Sequence, residues 1–178
     1  MKKNISIVGA GLAGSECALQ LAHMGYSVNL YEMRGLKTTP AHKTDKFAEV
    51  VCSNSFGSMT DGSAPHQLKW EAEKLNSFIL KAAKLSYVPA GQALAVDRTL
   101  FSETITEWLR AHPNISIHNK VVTSLSEIPR PAVIATGPLT DEALASDLQN
   151  HFGHDFCYFF DAIAPIVDAD SINLNVAW

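Results

Sequence analysis

Asn4-Ile-Ser-Ile-Val-Gly9-Ala-Gly11-Leu-Ala-Gly14 is the stretch on which the fold turns. Its first five residues are a short apolar run that breaks at Gly9, the pattern of a buried strand closing in a tight turn. From Leu12 to Met24, Cys17, Ala18, Leu21 and Met24 recur at three- and four-residue spacings, which predicts a helix with one apolar face; Gly25 stops it. Tyr26 to Met33, with Val28, Leu30 and Tyr31, predicts a second strand. Residues 1–33 thus form a βαβ unit, and a crossover of that length demands parallel strands.

Gly9, Gly11 and Gly14 fit the GxGxxG pattern between a strand and a helix. In that setting Gly9 permits the turn, Gly11 lets a diphosphate approach the backbone, and Gly14 lets helix and strand pack closely. Unpaired N–H groups and the positive end of the helix dipole then face the phosphates. Glu32 ends the second strand 18 residues after Gly14, where a carboxylate accepts hydrogen bonds from ribose hydroxyls and repels a 2′-phosphate. FAD or NAD is expected there rather than NADP. The alternative is a glycine turn with a purely structural role.

Residues 34–63 are rich in turn formers and charges and include Cys52-Ser-Asn-Ser-Phe-Gly-Ser58, a long functional loop by composition. Arg34, Lys37, Lys43 and Lys46 against Asp45 give a local charge of +3, either an attraction for phosphates or a solvated loop. His42 has no second histidine or carboxylate at metal-ligand spacing, and no metal site is expected. The seven histidines read as surface or satisfied residues. Cys52 lies in a polar setting, either a partly exposed reactive thiol or a small filler, whereas Cys17 and Cys157 read as apolar fillers.

Residues 64–178 are expected to supply the remaining helices and strands. Pro65 to Lys84 predicts one helix with Leu68, Ala72, Leu75, Ile79 and Ala82 as its apolar stripe and Lys69 on the wet side. Pro89 to Asp97 reads as a loop or strand edge. A helix through Phe101, Ile105, Trp108 and Leu109 follows, capped by Asp97 or Thr99 and ended at His112-Pro113; Asp97-Arg98 could instead lie near a cofactor. Ile115 to His118 and Val121 to Leu125 are strand candidates, Ala132 to Gly137 a buried strand, and Thr140 to Asn150 a short helix. The aromatic stretch with Phe156, Tyr158, Phe159, Phe160 and Trp178 ends without a cap or polar tail, as expected of a truncated protein.

The whole chain has 178 residues, 47% apolar, with 18 acidic and 14 basic side chains and a formal charge of −4. That is the composition of a soluble globular domain with no global pull toward nucleic acid. No apolar run approaches the roughly 18 residues of a membrane span, so a cytoplasmic location without a membrane partner is expected. Three cysteines without CxxC or CxxH spacing argue for reduced thiols rather than disulfides or zinc.

Three runs are more distinctive than the glycine motif: Thr39-Pro-Ala-His-Lys-Thr-Asp-Lys-Phe-Ala-Glu-Val-Val-Cys-Ser-Asn-Ser55, Ala93-Leu-Ala-Val-Asp-Arg98 and Val133-Ile-Ala-Thr-Gly-Pro-Leu-Thr140. In them the chain closely resembles the folate- and FAD-dependent tRNA (uracil-5-)-methyltransferases of bacteria. The resemblance implies an α/β, Rossmann-like FAD-binding fold with a parallel sheet, of the two-dinucleotide-binding-domain flavoprotein type. It is incomplete here, because the family is more than twice as long and this would be its amino-terminal portion. It further implies formation of ribothymidine in the T-loop of tRNA, with carbon from methylenetetrahydrofolate and electrons from NADPH or NADH. Carried over by position, Gly9, Ala10, Gly11, Leu12, Ala13 and Gly14 would hold the FAD phosphates, Glu32 the ribose, and Thr136 and Gly137 would return toward the cofactor. Cys52 matches a cysteine that the family places near the flavin, either adding to C6 of uracil or guarding a flavin-bound carbon. A second cysteine, a late Gly-Asp element and a substrate domain would lie beyond Trp178. The wobble-uridine flavoprotein, a flavin or NAD oxidoreductase without an RNA partner, and an inactive dinucleotide-binding remnant are the rival readings.

Overall fold

The computed structural model describes residues 4–153 together with 172 and 173. Cys157 and the aromatic stretch around it lie outside them.

Four strands form the parallel sheet that the opening motif requires. β1 (Asn4–Val8) pairs with β2 (Ser27–Glu32), so that Ile7 faces Leu30, and on its other side with β7 (Ala132–Ile134). β2 pairs in turn with β6 (Ile115–Asn119), giving the order β6-β2-β1-β7. Between β1 and β2 runs α1 (Leu12–His23). Alternation along the strands sends Ile7 and Leu30 to one face and Val8 and Tyr31 to the other.

The first face carries the larger core. Ile7, Leu19, Val28, Leu30, Phe101, Ile105 and Leu109 are fully buried there. α1, α3 (Phe78–Leu85) and α4 (Arg98–Ala111) cover it, and the Asp97 carboxylate caps α4 by accepting from the Leu100 N–H at 2.9 Å. On the second face a smaller cluster of Val8, Tyr31, Val122, Ile128, Leu144 and Leu148 is closed by α5 (Glu142–Phe152).

Several elements differ from the sequence expectation. The helix expected over 65–84 is two: α2 (Ala64–Lys74) and α3, separated by Asn76 in the left-handed region at φ 59°. The break is made by Glu16 of α1. Its carboxylate accepts from the N–H groups of Phe78 and Ile79, at 3.1 and 2.7 Å, and from the Ser77 hydroxyl at 2.9 Å. An anion at that point stabilises a new helix start. α2 consequently rotates away from the expected stripe: Leu68 and Leu75 are 67% and 74% exposed, while Lys69 is buried and donates to Phe56 O at 2.9 Å. Ala132–Ile134 is an outer strand with Val133 exposed, not a buried one, and 121–125 forms no strand. A second, antiparallel sheet joins β3 (Ser55–Ser58), β5 (Ala93–Val96) and β4 (Tyr87–Val88) in the order β3-β5-β4. It draws Ser55–Ser58, the second half of the 52–58 run, into a strand.

Candidate dinucleotide cleft

The carboxyl ends of β1, β2 and β7 open on a cleft of about 280 Å³. Gly9, Gly11, Leu12, Ala13, Glu32, Thr136 and Gly137 line it. Of the nine residues assigned to a cofactor from the sequence, only Ala10 and Gly14 are absent from its wall, and both are buried behind it. A crevice beyond the carboxyl ends of parallel strands is where open α/β sheets bind ligands.

The glycines divide the work. A Cβ on Gly14 would overlap the Gly9 carbonyl oxygen, and one on Gly9, at φ 96°, would stand 2.6 Å from Ala135 O. These two residues let the phosphate loop, α1 and the 135–137 turn approach backbone to backbone, with Ala135 N–H donating to Val8 O at 2.8 Å. Gly11 differs: a Cβ there meets nothing within 4 Å and would enter the open cleft. It is also the N-cap of α1, with no side-chain cap and no acidic residue in the first turn. No side chain of α1's own start therefore answers its first N–H groups, and they stay open to solvent or a ligand.

Glu32 is buried, and its two oxygens are already engaged. Ala10 N–H donates to Oε2 at 2.6 Å, and Arg34 N–H to Oε1 at 2.9 Å. Burial alone would push the carboxyl up, but the Arg34 guanidinium and these N–H donors outweigh it and hold the group below its ordinary value. Glu32 is thus an anion at neutral pH; with Arg34 Nη2 also donating to Oε2 at 3.4 Å, three of its roughly four acceptor positions are taken and one, on Oε1 beside Arg34 Nε, is left for a ribose hydroxyl.

Arg34 is the residue the sequence reading missed. It is not on a solvated loop but buried, 3.3 Å from Glu32 through Nε, with Nη2 donating to Ala10 O at 2.9 Å and Nη1 to Lys46 O. The signal was the two-residue spacing of Glu32 and Arg34, which puts both side chains on one side of an extended chain. Lys37 meets Asp141 at 2.5 Å and Lys46 lies 3.8 Å from Glu103, so most of the local positive charge is neutralised. The same strap, 39–51, lies against the phosphate loop: Ala48 N–H donates to Ala10 O at 2.8 Å and Phe47 N–H to Thr106 Oγ1 at 2.9 Å. Thr39, His42, Glu49 and Val51 of the strap line the cleft.

Cys52 is exposed and does not line the cleft, although its neighbour Val51 does. Two residues on, Asn54 is pinned to β5 by a donor and an acceptor on Val96, at 3.0 and 2.9 Å. The thiol therefore sits at the rim, between a wall residue and an anchored one. Cys17 packs against the core as expected of a filler, and burial pushes its thiol up. Asp97 caps α4 and is not among the cleft residues.

Residues 4–178 match the family described as Glucose inhibited division protein A. The chain belongs to this family. Among curated relatives, the methylenetetrahydrofolate--tRNA-(uracil-5-)-methyltransferase TrmFO of Bdellovibrio bacteriovorus is 68% identical over 99% of this chain and 40% of its own length. The protein of the same name from Bacillus subtilis is 51% identical over 98% of this chain and 40% of its own length. The chain thus spans about 40% of the length of these relatives. Among solved structures, Aquifex aeolicus GidA superposes with a TM-score of 0.59 at 16% identity, covering 78% of this chain and 26% of that one, which bears out the fold.

Proposed function

We propose that the chain is the amino-terminal, FAD-binding portion of a folate-dependent tRNA (uracil-5-)-methyltransferase, the enzyme that converts the T-loop uridine to ribothymidine. The printed names of the relatives support the reaction, the tRNA substrate and methylenetetrahydrofolate as carbon donor. The observation that carries the cofactor assignment is the open space over Gly11 at an uncapped helix start, with the ionised Glu32 in the same cleft.

The residues present fit the adenosine diphosphate half of FAD. Main-chain N–H groups around Gly11, Leu12 and Ala13 would hold the diphosphate, and Glu32 would accept from a ribose hydroxyl. Thr136 and Gly137 would wall the opposite side. Glu32 disfavours a 2′-phosphate and so NADPH as the resident group of this cleft; the role of reductant for NADPH or NADH comes from the family resemblance. Bound there, the flavin would supply the two-electron reduction that turns the transferred one-carbon unit into a methyl group. Cys52 is the reactive thiol of this portion, presented at the rim rather than inside the dinucleotide cleft. The segment 34–46 is not assigned to RNA, because its cations Arg34, Lys37 and Lys46 already face carboxylates. Among the described residues no helix is long and apolar enough to cross a membrane, which suits a cytoplasmic enzyme acting on tRNA.

Gly11→Val tests this reading, since its side chain would occupy the space assigned to the diphosphate while meeting no protein atom. The variant should keep the melting temperature of the parent and lose stoichiometric FAD, read by absorbance after desalting. Retained flavin would refute the loop assignment. For the reaction, tritium release from C5-labelled uridine in tRNA, with methylenetetrahydrofolate and NADPH present, should require the longer protein that contains this segment; no release would refute the methyltransferase reading.

A further inference from the structure

The strap over the cleft carries a side chain that neither the fold nor the assigned loop uses. His42 lines the cleft together with Thr39. Its Nδ1 lies 2.6 Å from Thr39 Oγ1, and that hydroxyl oxygen also accepts from the His42 backbone N–H at 3.3 Å. A hydroxyl has a single proton, and among the described residues the acceptor within its reach is Nδ1. With the Thr39 proton in that bond, the imidazole carries its own on Nε2. Nε2 makes no hydrogen bond among the described residues.

The strap is also fixed relative to the phosphate loop. Ala10 O accepts from Ala48 N–H at 2.8 Å, from Arg34 Nη2 at 2.9 Å and from Ser15 Oγ at 3.1 Å, while Arg34 holds Lys46 O with its other nitrogen. These bonds hold the strap against Gly9–Gly14 at Lys46 and Ala48, and Glu49 ties Lys43 and Thr44, next to His42, back to the same strap through their N–H groups at 3.0 and 3.1 Å. The charged groups around the ring are Arg34, Glu49 and Glu32. Burial and Arg34 push the imidazole below its ordinary value against the opposing pull of Glu49 and Glu32, so it is a neutral donor at pH 7.

We infer that His42, oriented by Thr39, is a cofactor-binding residue whose Nε2–H donates to the diphosphate of the dinucleotide held over Gly11. This rests on the dinucleotide reading of the cleft and adds to it a side-chain donor from the facing strap.

The experiment titrates the purified chain with FAD and with ADP-ribose, which shares the diphosphate and lacks the flavin, and compares His42→Ala, His42→Gln and His42→Asn. Alanine should weaken both ligands about tenfold, the size of one hydrogen bond to a charged group. Glutamine, whose amide nitrogen reaches the place of Nε2, should recover most of the loss, and asparagine, which matches Nδ1, should not. Wild-type affinity in His42→Ala overturns the inference. So does equal recovery by asparagine and glutamine, which would mean that the ring only supports Thr39, or a loss seen with FAD but not ADP-ribose, which would move the ring away from the diphosphate. The glutamine and asparagine comparison stands even if the alanine chain melts early. Absence of saturable binding of either ligand by the wild-type chain would sink the dinucleotide reading itself, and the inference with it.

Discussion

Two stretches of backbone meet at Ala10 and are held there by different means. On one side the loop Gly9–Gly14 is fixed by the absence of side chains, since a methyl group on Gly14 or Gly9 would run into main-chain oxygen. On the other, the strap 39–51 is fixed by side chains borrowed from elsewhere: Arg34 from the end of β2 and Thr106 from α4. The first arrangement is steric, and it fails when an atom is added. The second is made of hydrogen bonds and charge, and it fails when one is removed.

Gly14→Val probes the steric side and should have the largest effect. The added side chain has only backbone to displace, so α1 must part from β1, at a cost of about 3 kcal/mol or more. A fall in the urea midpoint of that order, set against an unchanged midpoint for Gly11→Val, would show that two glycines three residues apart serve fold and ligand separately. Equal effects of the two would erase the distinction.

Arg34→Met probes the strap. It leaves the Glu32 carboxylate buried with its cationic partner gone and takes the side-chain donor from Lys46 O, while Ala10 O keeps Ala48 N–H and Ser15 Oγ, for a loss of about 3 kcal/mol. Most of the loss should come from the stranded charge, so adding Glu32→Gln to Arg34→Met should restore part of the stability in a double-mutant cycle. If the two losses simply add, the pair does not couple the strap to the loop. Proteolysis within 39–51, followed in the same variants, sharpens the comparison: Arg34→Met should open the strap to cleavage more than Gly11→Val does.

This contrast also explains what could be read from the chain beforehand. The βαβ unit, with Gly9, Gly11 and Glu32 of the cleft wall, follows from periodicity and glycine spacing within the first 33 residues, all local signals, whereas Leu12, Ala13, Thr136 and Gly137 were placed there by the family resemblance. The α2–α3 break was illegible because its cause, Glu16, lies 61 residues from Ser77. Arg34 looked like surface charge because two of its acceptors, Ala10 O and Lys46 O, are backbone carbonyls, which leave no mark in sequence; only its spacing from Glu32 did. The β3-β5-β4 sheet hid in Ser-, Gly- and Ala-rich segments whose strands are two to four residues long. Lys69 was placed on the wet side of a stripe that the break had rotated.

Cys52→Ala should have the smallest effect on the fold and the sharpest on chemistry. The residue is exposed, Val51 before it faces the cleft, and Asn54 after it carries the anchor to β5, so the loop keeps its path without the sulfur. Stability should stay within about 0.5 kcal/mol of the parent, and FAD affinity should be unchanged, because neither the strap's bonds to Ala10 nor the glycine loop involves the thiol. In the longer protein the same change should abolish ribothymidine formation, since alanine offers no sulfur to add to C6 of uracil or to guard a flavin-bound carbon. Undiminished methylation would make Cys52 an ordinary rim residue, and a drop in FAD affinity would place the sulfur inside the cleft after all.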